Sequence, residues 1–464
     1  MQQRETLGTR IGFLFVSASC AIGLGNVWRF PFIAGEYGGG IFVLIFLICL
    51  AVISLPILSM EFAVGRASQK SIALSFHVLE PAGTKWHIFS YFGIAGNYML
   101  MMFYCVVTGW MMNFLYKYLT GAFSNFRVPG TNGDDDPGTA IEAFIGMISS
   151  PAQQVVWMAV AVIFGFTVVG LGLKRGVERV TKFMMSCLFL LLIVMIFRSV
   201  TLPGASEGLK FFLLPHTEAF LTHSIWEIMH AAMGHAFFTV SVGMGSMAIF
   251  GSYIGRERRL LGESSLIAGL DCFASIGAGL VIFPACFAFG IKANAGAGLV
   301  FMTLPNVFDA MPGGTFWGIM FFLFMSFAAL STVVAVFENL VAYWIDKVNA
   351  TRQKIVLVNL PVMLVACLPT ALGFNVWGHI HPLGGDSEFI DLFDFAVSNN
   401  ILPIGAAIYL LFCVTNKGWG FQNFLAEANA GEGLAFPNRF LPYFRYFVPV
   451  IILVILIVGY IQFF

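Results

Sequence analysis

Eleven long apolar runs dominate the chain: 11–33, 40–64, 89–119, 155–173, 182–200, 226–254, 263–291, 315–345, 354–372, 392–414 and 442–463. A helix needs about 20 residues to cross the hydrocarbon core of a bilayer. Lipid offers the backbone no hydrogen bonds, so a spanning segment must satisfy its N–H and C=O groups internally. The pattern therefore predicts an all-α integral membrane protein of about eleven transmembrane helices. The runs at 89–119 and 315–345 are long enough to tilt or protrude. Composition agrees, with 59% hydrophobic and 10% charged residues, against about 25% charged in soluble domains. The lipid bilayer takes the place of a large soluble core. The net charge of zero carries no signal for nucleic acid or another polyanion.

Orientation follows from the loop lysines and arginines, which favour the cytoplasmic side. Eighteen of the 24 fall on the side of the amino terminus, five on the other, and Arg29 lies within the first run. The expected arrangement is a multi-pass protein of the inner (plasma) membrane with a cytoplasmic amino terminus and an external carboxyl terminus. A cleavable signal peptide is not expected, because the amino terminus is polar and the first run is long and carries Arg29. All eight cysteines fall in apolar runs, which argues against a disulfide framework and against thiolate metal sites. The outer loop 121–153, with Asp134, Asp135 and Asp136, reads as a solvated insertion without chemistry. The inner segment 416–441 is rich in Gly and Asn and is expected to carry a short surface helix.

Two runs are interrupted. The first contains Ser19-Cys20-Ala21-Ile22-Gly23-Leu24-Gly25-Asn26-Val27-Trp28-Arg29-Phe30-Pro31, and the sixth contains Phe237-Phe238-Thr239-Val240-Ser241-Val242-Gly243-Met244-Gly245-Ser246. Irregular backbone at membrane depth survives only where it is buried in protein or lines a wet cavity. A charge such as Arg29 at that depth marks a functional site by default. Two broken helices five spans apart are the mark of a secondary transporter with inverted repeats, whose site lies where the breaks meet near the midplane. The expected division is an inverted-repeat core over 1–416, with helices 1–5 at about 11–200 and helices 6–10 at about 226–414. An inner linker and helix 11 follow over 417–464.

At these residues the chain resembles the neurotransmitter:sodium symporter family, in its bacterial amino-acid branch, which includes the bacterial leucine transporter. The resemblance rests on Ala21 to Pro31, Glu36-Tyr37-Gly38-Gly39-Gly40 and Glu61-Phe62-Ala63-Val64-Gly65-Arg66. It continues through Tyr104, Ala236-Phe237-Phe238-Thr239-Val240-Ser241 and Ala328-Ala329-Leu330-Ser331-Thr332. It runs from Arg4 to about Asn416 and implies the 5+5 leucine-transporter fold. Eleven helices rather than twelve is a departure shared with several bacterial members.

The resemblance implies a sodium-coupled amino-acid symporter working by alternating access. The substrate carboxylate is expected at the free N–H groups of Leu24 and Gly25, since half-helix amino termini suit an anion, and at the Tyr104 hydroxyl. Taken alone, Tyr104 reads as a packing or interfacial tyrosine. The substrate ammonium would meet carbonyls of Ala21, Phe238 and Thr239 and the Ser241 region. Monoamine carriers of the family have an aspartate where this chain has Gly23, so the expected substrate keeps its carboxylate. Leu100, Phe238, Ser241, Met244 and Val336 would line the side-chain pocket, with Thr332 at its edge. An uncharged apolar lining disfavours a charged side chain, and Met244 adapts to shape, so a hydrophobic or aromatic amino acid is expected. Each pocket residue taken singly reads as ordinary helix packing.

Two sodium ions are implied, each held by oxygen ligands as hard cations require. One is expected at the Ala21 carbonyl, Asn26, Thr239, Asp271 and the substrate carboxylate. The other is expected at carbonyls of Ser19, Ile22 and Ala328 with the hydroxyls of Ser331 and Thr332. Those two hydroxyls otherwise read as bonded back to a helical carbonyl. Cys20 replaces a frequent family asparagine. Arg29 and Asp394 are expected as the outer gate, with Asp391 a nearby rival and His235 joining them by hydrogen bonding or packing as a buried structural histidine. Arg4 and Asp346 are expected as the inner gate, or as two solvated surface charges. Chloride, which many animal members require, is held there by a serine on span seven. Ser275 keeps that serine, but Asp271 stands where those members have asparagine, so chloride-independent transport is expected. A protonated Asp271 would serve only as a neutral hydrogen-bonding group.

Three other functions compete. Another small amino-acid-like solute would use the same architecture. A channel needs a continuous polar pore, whereas here the polar groups cluster at the breaks and at the two gates. An intramembrane enzyme is suggested by Glu61, His230, His235 and Asp271, but no HExxH, GxSxG or paired-aspartate motif accompanies them. Some bacterial relatives unwind span five at a glycine followed ten residues later by proline. Here Gly176 is followed by Ser186, so that device is not expected.

Overall fold

The computed structural model describes residues 5–123, 138–215, 220, 223–290, 298–309 and 311–463. Arg4 and the acidic run Asp134–Asp136 lie outside the described residues. The first run is a bent pair, Arg10–Ala21 and Gly25–Glu36, turned through 52° (span 1). Span 2 is Gly40–Ser68, span 3 Trp86–Leu119, span 4 Pro151–Gly170 and span 5 Leu173–Val200. Span 6 is two helices, Ile225–Thr239 and Ser246–Gly251. Span 7 is Leu260–Ala288, span 8 Gly314–Val348, span 9 Arg352–Gly373, span 10 Phe389–Val414 and span 11 Asn438–Ile461. All eleven expected runs are therefore helical, and among the described residues extended pairing is limited to two isolated bridges.

The boundaries follow local chemistry. Span 1 begins where the Thr9 side chain accepts the Gly12 N–H. It stops at Ile22, whose ψ of 100° is extended. Span 5 starts nine residues before the apolar run at 182, because a wide turn over Leu173–Glu178 carries Lys174 and Arg175 into the helix. The short helices between spans were not foreseen. Ile72–Leu79 lies on the amino-terminal face, and Gly138–Ile148, Ala205–Leu213 and Leu304–Asp309 lie on the opposite one. The short helix expected within 416–441 is Phe421–Ala428.

Span 8 is the central column, packed against spans 1, 3, 4 and 5. The break in span 6 passes through Ser241, Gly243 and Gly245, all at positive φ. At Gly243 (φ 95°) a Cβ would stand 2.4 Å from the Leu402 carbonyl, so only glycine lets span 10 approach this closely. The unwound segment frees backbone donors that have no water to meet. Buried Glu61 takes two of them, the N–H groups of Gly243 at 2.8 Å and Met247 at 3.0 Å. Below it, Asn97 accepts from Ser246 and Asn339 at 2.9 and 3.0 Å and donates to the Met244 carbonyl at 2.9 Å. Helix Phe421–Ala428 is tied to span 2 by Arg66 and Glu427 at 2.7 Å. Span 11 packs against the first half of span 6 and against span 10.

Candidate functional site

The two breaks meet. Ser241 Oγ donates to the Cys20 carbonyl at 2.8 Å. Around this junction is a small cavity of about 20 Å³ lined by Cys20, Ala21, Gly23, Gly25, Leu100, Tyr104, Phe238, Ser241, Met244, Thr332 and Leu402. That volume is room for about one water molecule. Val336 is not in the lining: it is fully buried one helical turn beyond Thr332. At this level span 8 presents Thr332, itself buried, to the cavity. Cys20 and Leu402 also line the cavity, the latter not assigned by the sequence reading.

Beside span 3, the Leu24 N–H donates to the Tyr104 hydroxyl at 2.9 Å. Gly23 makes that approach possible, since a Cβ there would lie 2.2 Å from the Tyr104 hydroxyl oxygen and 2.5 Å from Thr332 Oγ1.

Two oxygen clusters flank the break. In the first, Asn26 Nδ2 lies 2.7 Å from Asp271 Oδ1, 2.8 Å from Ser275 Oγ and 3.0 Å from Thr239 Oγ1. Thr239 Oγ1 is 2.9 Å from each carboxylate oxygen of Asp271, and all four residues are fully buried. An amide donor thus occupies the middle of an oxygen shell around one carboxylate. The other end of the amide, Asn26 Oδ1, accepts the Gly23 N–H at 3.0 Å. In the second cluster, Thr332 Oγ1 stands 2.8 Å from the Ser19 carbonyl, 3.1 Å from that of Ala328 and 3.2 Å from that of Ile22. One hydroxyl proton cannot serve three carbonyls. The N–H groups that a continuous helix would aim at Ser19 and Ile22 are diverted, Gly23 to Asn26 Oδ1 and Asn26 to the Gly23 carbonyl. Ser331 Oγ donates to the Ala328 carbonyl at 3.0 Å. The helix break therefore creates electron-rich oxygens in excess of protons, which is the donor set a hard cation takes.

Above the cavity lies a vestibule of about 780 Å³ that reaches from Glu36, Tyr37, Glu388 and Asp391 down to Gly25, Tyr104 and Phe238. Its floor is layered. Arg29 Nη1 reaches Asp394 Oδ1 at 3.1 Å and Ser398 Oγ at 2.8 Å. The same guanidinium sits 4.7 Å from the centre of the Phe238 ring. Asp391 takes a different part: it completes the cap of span 10, accepting the Glu388 N–H at 2.8 Å. Ser398 was missed by the sequence reading, although it lies one helical turn after Asp394 and faces the same way.

His235 does not join Arg29 and Asp394 by hydrogen bonding. Its ring is buried against Phe30 and Phe46, with centroids 5.3 Å away in each case, and neither ring nitrogen has a hydrogen-bond partner among the described residues. The Arg29 fork is already engaged by Asp394 and Ser398, so the histidine packs instead.

The amino-terminal face is tied shut. Arg10 holds Glu263 of span 7 through two nitrogens, at 2.8 and 3.1 Å. Glu178 of span 5 receives the Gly8 N–H at 2.7 Å, the Thr9 hydroxyl at 2.9 Å and Lys182 at 2.7 Å. Glu5 reaches Arg352 at 2.8 Å, and Arg352 also pairs with buried Glu338. Asp346 accepts the Ser71 N–H at 2.7 Å with Lys70 4.0 Å away, while Arg4 lies outside the described residues. The sequence reading missed these latches, since the pairs Arg10–Glu263, Thr9–Glu178 and Glu5–Arg352 each join residues more than 100 positions apart.

The comparisons with known proteins agree with this geometry. The model of the Sodium:neurotransmitter symporter family matches residues 4–127 and 141–464. An uncharacterized sodium-dependent transporter of Bacillus subtilis is 33% identical over 453 residues, covering 96% of each chain. An uncharacterized sodium-dependent transporter of Haemophilus influenzae is 31% identical over 466 residues, covering 98% of each. The crystal structure of MhsT in complex with L-phenylalanine superposes with a TM-score of 0.87 at 34% identity, over 98% of this chain and 100% of that one. The chain belongs to the sodium:neurotransmitter symporter family and is a sodium-dependent membrane transporter, not an enzyme.

Proposed function

We propose that this transporter imports a hydrophobic or aromatic amino acid together with two sodium ions, by alternating access and without chloride. The observation that carries the reading is the Thr332 hydroxyl, set within 3.2 Å of three carbonyls, two of which, Ser19 and Ile22, lose their helical N–H donors at the break in span 1. A sodium ion at this place adds the positive charge that a single O–H cannot. The cluster of Asn26, Thr239 and Asp271 accommodates the second ion if the Asn26 amide turns to present Oδ1 and releases the Gly23 N–H. The Ala21 carbonyl and the substrate carboxylate complete that shell.

The substrate carboxylate takes the N–H groups of Leu24 and Gly25 and the Tyr104 hydroxyl. Its side chain replaces the small cavity between Leu100, Phe238, Ser241 and Met244, which must widen, and Met244 and Phe238 are the residues that move. The 34%-identical MhsT structure holds L-phenylalanine, which supports an apolar side chain of that size. Two sodium ions are balanced by the substrate carboxylate and an ionised Asp271. A low-dielectric site penalises unbalanced charge, so Asp271 makes chloride unnecessary. The bias of lysine and arginine supports an amino terminus in the cytoplasm, with Arg29 and Asp394 closing the outer side.

The reading is tested by equilibrium binding of the twenty amino acids to the purified transporter in sodium and in potassium. Sodium-dependent binding of phenylalanine, leucine, tyrosine or tryptophan is expected. Preferential binding of charged or decarboxylated compounds would overturn the assignment.

A further inference from the structure

The loop between spans 2 and 3 carries a cluster that the transport site does not use. His77 lies on the helix Ile72–Leu79, Glu80 follows it, and His87 opens span 3. One donor atom from each lies within 4.8 Å of the others. His77 Nδ1 is 3.2 Å and His87 Nδ1 is 2.6 Å from the same oxygen, Glu80 Oε1. The other carboxylate oxygen is held away: the His87 backbone N–H donates to Oε2 at 3.2 Å, with the Thr84 hydroxyl 3.5 Å from it. This outer contact aims Oε1 at the two imidazoles, as partners behind a metal ligand do.

The frame is rigid. Phe76 packs on Phe89, Tyr409 and Phe412, and the Trp86 indole N–H donates to the Lys417 carbonyl at 2.8 Å. The glutamate side chain is 7% exposed, whereas those of His77 and His87 are 67% and 40% exposed, so a fourth position faces solvent. One carboxylate oxygen of Glu80 thus faces two imidazoles.

We propose that His77, Glu80 and His87 form a divalent transition-metal site of the zinc class on the amino-terminal face, with water as the fourth ligand. Two imidazole nitrogens and one carboxylate oxygen form a donor set that zinc takes in four-coordinate sites, with bonds of about 2.0–2.2 Å. Calcium and magnesium prefer all-oxygen shells. The bound ion replaces the protons now shared between the imidazoles and Oε1, and it clamps the helix Ile72–Leu79 to the start of span 3.

The test uses the full-length purified transporter without a histidine tag, dialysed against zinc chloride and assayed for bound metal. One zinc per chain is expected, and cobalt in its place should give the visible absorption of a four-coordinate ion. H77A and H87A should each weaken zinc binding by more than the roughly 10- to 100-fold that loss of an outer partner costs. H379A/H381A, on another loop, should bind as the wild type does. Zinc should raise the thermal unfolding midpoint of the wild type and leave that of H77A/H87A unchanged. Sodium-dependent amino-acid binding by H77A/H87A shows that these variants are folded. E80Q is expected to lose zinc, and because it also removes an anionic acceptor from the His87 backbone, the two histidine variants decide the outcome. Wild-type protein that binds no more zinc than H77A/H87A, or binds it equally tightly in both, overturns the proposal.

Discussion

Gly23→Ala tests whether the break in span 1 is built around the absence of a side chain. A methyl group at this position would fall 2.2 Å from the Tyr104 hydroxyl and 2.5 Å from Thr332 Oγ1. Carbon–oxygen contacts settle at about 3.3 Å or more, so both hydroxyls must retreat by about 1 Å. That motion breaks the 2.9 Å bond from Leu24 to Tyr104 and separates Thr332 from the Ser19 and Ile22 carbonyls. Leaving a buried polar group unmatched costs about 1–3 kcal/mol. Two such losses amount to about 2–6 kcal/mol, or roughly 30- to 20,000-fold in binding. The assay is equilibrium binding of tritiated phenylalanine across a sodium titration, with size-exclusion chromatography to verify folding. Tyr104→Phe removes one contact and should cost roughly 5- to 150-fold. In the double variant the clash with the hydroxyl is gone, so the two effects should combine to less than their sum. A Gly23→Ala transporter with wild-type sodium dependence, or strict additivity in the double variant, would refute the steric argument.

Two further outcomes follow from the same geometry. Met244→Phe fills the space beside Gly96 and Leu100 and should shift preference toward smaller aliphatic amino acids; an unchanged order in competition assays would remove Met244 from the pocket. Wild-type uptake should be indifferent to replacing chloride with gluconate, while Asp271→Asn should be impaired and at least partly rescued by chloride. A wild type that stops in gluconate contradicts the charge balance.

The spans were legible because bilayer thickness and hydrophobicity act locally along the sequence. The breaks were legible too, since glycine, asparagine and arginine inside an apolar run have few other physical explanations. Long-range pairing was only partly legible. Asp391 and Asp394 differ in sequence by one helical turn, and the three-dimensional cap at Glu388 is what takes Asp391 away from Arg29. His235 misled because a polar residue near an arginine invites a hydrogen bond, whereas its position on the helix turns it into the cage of Phe30, Phe42 and Phe46. Val336 lies a single turn of span 8 beyond Thr332, which lines the cavity. Glu178 and Glu263 bind partners far away in sequence, and no spacing rule connects them to Thr9 or Arg10. Glu61 carried a usable signal: it is a lone carboxylate in an apolar run, and its role appears once the free N–H groups of the sixth span are counted.

The most direct measurement is uptake of labelled phenylalanine into proteoliposomes loaded with potassium and diluted into sodium or potassium buffer. Coupling predicts transient accumulation above the outside concentration in sodium, collapse when the gradient is dissipated by an ionophore, and no accumulation in potassium. Accumulation that is equal in potassium, or that survives dissipation of the sodium gradient, would contradict sodium-coupled amino-acid transport.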